Sequence, residues 1–354
     1  MKKIVFILLI ALLCVGSCSE RETAHGTHNR SLRIVLNTGV TTKTAAEPDS
    51  VVADGGGIYV DLTDIAHPKP DLIILVFDEN GDIAGMFDPD SDEPEPINGL
   101  NELESGEGPT AISVTIDNLG DGPHTVYAFA NTQGAGAWGI MERHGGSITD
   151  LTTLTTVSQA DSLFFTPLAA NTAPTVTSGR MPITAKGSVD LTEGNGELSL
   201  NLIRCVAKVT AEFVNHTGES LTLTSFVNRF VGMCPSSAFL LPGHVPDTLG
   251  VSTVGDLVGS EASLGPIADN GSITRSWYVF PSSGPYTCSI SFHLTNDREF
   301  NDLEVHDDHG RNLMELRRNQ HLHVVTTISK GTTVSFNFEV AGWGSPIEES
   351  VEFN

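Results

Sequence analysis

Aromatic side chains that carry a polar tip are scarce in this chain, with 4 Tyr and 3 Trp among 354 residues. Proteins that grip sugars on exposed aromatic platforms need more of them, so the scarcity weighs against a glycan-binding surface. Basic residues are scarce as well, at 19 Lys+Arg against 44 Asp+Glu. Lys2 and Lys3 sit in a segment read below as a removable leader, which leaves 17 − 44 = −27 for the remainder. Such a charge repels phosphate backbones and anionic membrane surfaces, which excludes nucleic acid as a partner. It suits solubility outside a cell.

Cysteine is nearly absent. Of the 5 cysteines, Cys14 lies in the leader and Cys18 is read below as lipidated, leaving Cys205, Cys234 and Cys288. Three thiols allow at most one disulfide, and which pair would form it stays open. No Cys-x-x-Cys pair exists among them, so neither a zinc knuckle nor a thioredoxin-type site is supported. The chain also lacks HExxH, GxSxG, a P-loop and a strand-borne GxGxxG, and no enzymatic activity is expected. A 20–50-residue repeat is missing too, which argues against solenoids and propellers.

Long apolar runs are limited to Ile4 to Leu13, too short for an ordinary spanning helix. Behind Lys2 and Lys3 it has the form of a secretory h-region. Val15-Gly16-Ser17-Cys18 follows, with small residues leading into a cysteine. That arrangement predicts a lipoprotein signal peptide over residues 1–18, cleavage before Cys18, and lipid on its thiol. Cys14 follows Leu12 and Leu13, which fit a narrow peptidase cleft poorly. The polar residues 19–31 read as a tether.

The rest of the chain reads as strands. Leu32-Arg33-Ile34-Val35-Leu36 alternates, with Leu32, Ile34 and Leu36 on one face. Asp71 to Phe77 is continuously apolar after its first residue, as a strand buried on both faces would be. Asn80-Gly81 between that run and Ile83 to Phe87 predicts a hairpin. Ile148, Leu151, Leu154 and Val157 change the period to three, which predicts one short helix capped by Ser147. Gly194-Asn195-Gly196 breaks the pattern, and the domain boundary is placed there, giving a domain over 32–194 and another over 195–354. Glu197 to Phe213 then reads as one long strand, and Val206 and Phe292 as core of the second domain. Many short strands and a single helix predict an all-β chain of two β-sandwiches in tandem.

Metal ligands were weighed at three places. Asp88-x-Asp90-x-Asp92 opens like a calcium loop but has Glu93 and Gly99 where that loop needs glycine and a bidentate acid. Glu304 to Gly310 carries two histidines, and His321 and His323 share a strand face. A solvated turn and a surface strand account for them, so neither a metal nor any cofactor is expected.

Several segments together resemble the fimbrillins, the lipoprotein-precursor subunits of type V pili. They are the Cys18 leader, the short first strand with a basic residue in its following loop, and Asp71-Leu72-Ile73-Ile74-Leu75-Val76-Phe77-Asp78. To these are added Leu202 to Val209, Ser237-Ala238-Phe239-Leu240-Leu241-Pro242, Arg317 to Val324, and Val340-Ala341-Gly342-Trp343. The resemblance implies two transthyretin-like β-sandwich domains, no enzymatic activity, and a place in a cell-surface fimbrium that supports adhesion. Membrane contact would be through lipid on Cys18 of the precursor, at the outer membrane. Partners would be other fimbrial subunits, in a self-polymer or a hetero-polymer. The resemblance also implies a protease cut after a basic residue following the first strand, which falls on Lys43 here. The family's best-known members have arginine at that place. The cut would remove Leu32, Ile34 and Leu36. Assembly would then proceed by strand exchange, with the tail as donor through Ile347, Val351 and Phe353. The alternatives are an anchor or tip subunit, and a monomeric surface lipoprotein binding glycan or another ligand.

Overall fold

The computed structural model describes residues 29–37, 43–44, 58–61, 69–91, 97–98, 111–132, 140–143, 146–166, 181–235, 238–243, 253–261, 263–282, 286–295, 298–306, 315–330 and 334–342. These residues are nearly all strand, arranged as two β-sandwiches in tandem.

In the first sandwich, one sheet runs in the order Gly196–Asn201, Arg30–Asn37, Ala111–Leu119, Ile97–Asn98. The facing sheet runs Ile203–Arg204, Ile183–Asp190, Pro123–Ala130, Leu72–Phe77, Ile83–Phe87. Alternation fixes what lies between them. Leu32, Ile34 and Leu36 from one sheet meet Leu72, Ile74, Val76, Val126 and Ala128 from the other, all buried.

The second sandwich pairs a sheet of Ser272–Val279, Ala207–His216, Gln320–Ser329 and Val334–Gly342 with one of Thr253–Glu261, Leu221–Pro235, Thr287–Leu294 and Glu299–Val305. Its core is built on Phe213, Phe226, Trp277 and Phe292. Phe213 meets Phe292 edge-on at 5.5 Å.

The two sandwiches share one pairing feature. In each, the first strand lies inside its sheet, antiparallel to one neighbour and parallel to the other. Arg30–Asn37 lies between Ala111–Leu119 (antiparallel) and Gly196–Asn201 (parallel). Ala207–His216 lies likewise between Ser272–Val279 and Gln320–Ser329.

A third core joins them. Leu72–Phe77 is buried on both faces because it serves two cores: Leu72, Ile74 and Val76 point into the sandwich, while Ile73, Leu75 and Phe77 point outward. Over that outer face lie Leu154, Leu163 and Phe165 from the segment between Pro123–Ala130 and Ile183–Asp190, and Val206, Leu240, Leu241 and Phe280 from beyond Arg204. A small sheet crosses the same joint, pairing Phe164–Thr166 with Ala238–Phe239.

Four expectations need correction. Gly194-Asn195-Gly196 is a turn within the first sandwich and not the passage to the second, because Gly196–Asn201 pairs with Arg30–Asn37 and buries Leu200 in the first core. The expected long strand from Glu197 to Phe213 is three pieces, Gly196–Asn201, Ile203–Arg204 and Ala207–His216, since it passes from one sheet to the next. Val206 is buried in the joint, not in the second core. The helix expected behind Ser147 starts later. Ser147 is a strand residue, Leu151–Thr153 is a 3₁₀ turn capped by Asp150, and the α-helix Val157–Asp161 is capped by the Thr156 hydroxyl, which accepts from Gln159 N–H.

Candidate functional site

The most distinctive local feature is the seat of Arg30–Asn37. The sequence alternates because one face must be apolar, and Leu32, Ile34 and Leu36 are each 0% exposed. Burying three such side chains is worth about 5–9 kcal/mol before the cost of ordering the chain. The strand is also a ladder partner on both sides, in register from Leu32↔Gly196 to Asn37↔Asn201 and from Leu32↔Ile116 to Asn37↔Ala111. An outer strand satisfies one neighbour, whereas this one satisfies two. Its removal would open a slot about 25 Å long, apolar at the base, with unpaired N–H and C=O groups along both walls.

Polar contacts fringe the slot. Arg30 Nε pairs with Asp121 Oδ1 at 2.5 Å. The Ser31 hydroxyl donates to Asp117. Asn195 Oδ1 accepts from Ser31 N–H at 2.9 Å, and Asn37 Nδ2 donates to Asn201 Oδ1 at 3.2 Å. Arg33 reaches Glu197 at 2.7 Å, but both are more than half exposed, so this pair sets register more than stability. At the far end, Leu202 N–H donates to Asn37 O at 3.0 Å.

The other expected site residues are distributed as follows. Lys43 lies in a two-residue strand, Lys43–Thr44, whose backbone pairs in parallel with Tyr59–Val60. Cys18, Ile347, Val351 and Phe353 lie outside the described residues, as do Asp92 and Trp343. Cys205 and Cys288 are both buried, the first at the joint and the second in the core of the second sandwich.

The weighed metal ligands are engaged elsewhere. His321 and His323 do share a face, with rings stacked at 5.9 Å. His321 Nε2 is bonded to Thr210 Oγ1 at 2.9 Å and His323 Nε2 to Glu212 Oε2 at 3.0 Å, across the parallel ladder. Asp88 accepts from Asp90 N–H, and Asp90 pairs with Lys69 at 3.0 Å. No cluster of three or more metal-ligating side chains occurs among the described residues. An open groove of about 940 Å³ runs past Asp78, Asp82, Asp161 and Phe239. Two of its acids, Asp78 and Asp161, have structural tasks. Burial pulls the Asp78 carboxyl upward, but donation from Asp82, Asn80 and Gly81 outweighs this and holds it below its ordinary value. Asp161 accepts from Tyr127 Oη at 2.9 Å and Lys186 Nζ at 2.7 Å.

Three segments far apart in the sequence, Leu202 to Val209, Ser237 to Pro242 and Arg317 to Val324, meet at the joint. The Leu240 carbonyl accepts from Thr184 Oγ1 at 2.7 Å, Cys205 Sγ at 3.1 Å and Arg318 Nη1 at 2.8 Å. Arg318 Nη2 donates to Phe239 O at 2.7 Å, and Arg204 Nη1 to Asn319 Oδ1 at 2.9 Å. A basic residue beside asparagine in one segment and another preceding a buried cysteine were the available signal.

No protein-family model and no curated protein matches the chain. Solved structures do. The C-terminally truncated tip fimbrial protein of Porphyromonas gingivalis superposes with a TM-score of 0.51 at 11% identity, covering 89% of this chain and 100% of that one. A candidate cell adhesion protein from Parabacteroides distasonis gives 0.50 at 13% identity, covering 90% and 98%. The chain therefore shares the fold of these two proteins over nearly its whole length.

Proposed function

We propose that this chain is a structural subunit of a cell-surface fimbrium, exported as a lipoprotein and assembled with other subunits by strand exchange in support of adhesion. One observation carries the reading: Arg30–Asn37, the first described strand, occupies an inner position with ladder partners on both sides. A strand at the start of a fold can leave without unthreading anything, and what it leaves behind is a complete acceptor for another strand. The equivalent strand of the second sandwich, Ala207–His216, is held in mid-chain and cannot leave. Fold likeness to a tip fimbrial protein agrees with this reading.

In the proposed sequence of events the precursor is lipidated at Cys18 and reaches the outer membrane. It is cut after Lys43, and loses Leu32, Ile34 and Leu36 with the lipid. The tail of a neighbour, with Ile347, Val351 and Phe353, then fills the slot. No enzymatic activity and no cofactor enter into it.

The test is to sequence the N-terminus of protein sheared from cells, and to delete residues 347–354. A mature start at Thr44 together with loss of polymer on deletion supports strand exchange. A lipidated start at Cys18 with unchanged assembly after deletion sinks it. A lipidated start on a chain that still caps polymers would assign the anchor position instead. Cys18→Ala is expected to abolish lipid labelling and leave the leader attached, and normal labelling of that variant would move the lipid elsewhere.

A further inference from the structure

The two walls of the slot are unequal. Ala111–Leu119 has Ile97–Asn98 on its other side and would keep that partner if Arg30–Asn37 left. Gly196–Asn201 has Arg30–Asn37 as its one ladder partner among the described residues. Once the first strand is out, this wall has no ladder among the described residues. Leu200 and Leu202 still bury their side chains, but an unladdered strand is free to slide or to fold inward and close the slot.

Its N-terminal end stays tethered through the preceding turn, where buried Leu191 donates its N–H to Gly122 O at 2.9 Å; the other end is held beyond Asn201. Ile203–Arg204 pairs with Ile183–Thr184, and Cys205 N–H donates to Pro182 O at 2.8 Å. Arg204, 8% exposed, reaches across the joint to Asn319 Oδ1 at 2.9 Å. Asn319 is a firm post. It is held in the left-handed region at φ 57°, its N–H donates to Val206 O at 2.9 Å, and it leads directly into Gln320–Ser329 of the second sandwich. None of these contacts involves Arg30–Asn37, so they survive its departure.

We infer that Arg204, braced against Asn319 of the second sandwich, is a positioning residue that keeps the Gly196–Asn201 wall in place while the slot is empty. The inference rests on the strand-exchange reading and deepens it: the acceptor slot of the first sandwich depends on the second. In the intact chain the ladder to Arg30–Asn37 fixes the wall, so the brace matters little for its position there. It matters when the ladder is gone.

The experiment uses the full chain with a specific protease sequence placed within residues 38–42, cut after folding. A labelled peptide of residues 30–37, in excess, competes for the slot, and equilibrium uptake is read by fluorescence anisotropy. Wild type, Arg204→Ala, Arg204→Lys and Asn319→Gly are compared; glycine keeps the left-handed backbone and removes only the acceptor. Arg204→Ala and Asn319→Gly are expected to bind the peptide about tenfold more weakly after cutting, as the loss of one hydrogen bond from a charged donor would give. Arg204→Lys is expected to recover part of that loss. The thermal midpoints of the uncut proteins should differ proportionately less. Peptide uptake equal to wild type in Asn319→Gly overturns the inference and leaves strand exchange standing, and this variant decides the matter if Arg204→Ala does not fold. Failure of cut wild type to take up the peptide removes the strand-exchange reading itself, and the inference with it.

Discussion

Arg318 Nη1 donates to the Leu240 carbonyl at 2.8 Å, and its Nη2 donates to the adjacent Phe239 carbonyl at 2.7 Å. One guanidinium thus holds two successive carbonyls of the segment that pairs with Phe164–Thr166 of the first sandwich. Arginine suits this position because its fork is planar and always charged. Arg318→Ala is expected to cost about 2–4 kcal/mol, since buried carbonyls lose a charged donor. Arg318→Lys should recover less than half, because an ammonium cannot span both oxygens. Urea unfolding monitored by tryptophan fluorescence checks this, with Trp277 reporting on the second sandwich; a cost below half of the smaller figure would mean that the joint is held by its apolar contacts alone.

Gly187 sets how closely the wall strand approaches the facing sheet. A methyl placed there would lie 2.5 Å from Leu200 Cδ2 and 3.5 Å from Leu198 Cδ2. Leucine ends can shift, so the expected cost of Gly187→Ala is moderate, about 1–3 kcal/mol. A compensating Leu200→Val, which withdraws the clashing methyl, should restore part of it. Stability unchanged by Gly187→Ala would show that the wall strand already has slack.

Periodicity made the sandwiches legible and left the joint invisible. Leu32, Ile34 and Leu36 alternate, and they are buried as the alternation requires. Leu72–Phe77 is apolar throughout and is buried on both faces. Phe292 is where strand reading places it, in the second core. Such patterns are local, so a single sequence displays them. The boundary at Gly194 failed because a glycine turn within a domain and one between domains look alike; only the parallel pairing of Gly196–Asn201 to a strand more than 150 residues earlier separates them. Ser147 failed as a cap because side-chain oxygens able to accept from the first N–H groups were also available at Asp150 and Thr156, and tertiary packing chose those. Thr184, Cys205 and Arg318 converge on the Leu240 carbonyl from distant positions, which no window of sequence can display. The flanking of each sandwich's first strand by one parallel and one antiparallel partner is hidden for the same reason, since it is a repetition of pairings and not of residues.

Alkali is expected to destabilise the second sandwich. Cys288 is fully buried, and burial pushes its thiol above the ordinary value of 9.0. Tyr286 is pushed above its ordinary 10.0 by burial and then by the neighbouring Cys288. Both groups are held protonated in the fold, while the unfolded chain releases the protons at ordinary values. Their stabilisation is therefore complete below about pH 9 and is lost as pH rises beyond it. Urea midpoints measured at neutral pH and near pH 10.5 should fall, with a shallower fall in Cys288→Ala despite its lower starting stability. Equal slopes in both proteins would assign the alkaline loss to other groups.

Ile34 offers a test of strand exchange that leaves both the proposed cut and the tail untouched. Its side chain is 0% exposed in the core of the first sandwich, between Leu32 and Leu36 on the same face. Ile34→Ala should therefore destabilise the uncut chain by about 2–5 kcal/mol, the transfer loss plus the cavity. If the first strand departs on maturation, residue 34 departs with it, and a donor strand fills the space with its own side chains. Polymer sheared from cells carrying Ile34→Ala should then match wild-type polymer in the temperature at which it dissociates in detergent, while the purified precursor melts lower. If the strand stays, the cavity stays, and both forms are weakened together. A parallel fall in precursor and polymer would thus be incompatible with exchange of this strand, whatever protease acts at Lys43 and whatever segment of the neighbour binds. The precursor also provides its own control: if Ile34→Ala leaves its melting unchanged, the side chain does not contribute to the core and the comparison is void, an outcome that the complete burial of Ile34 argues against.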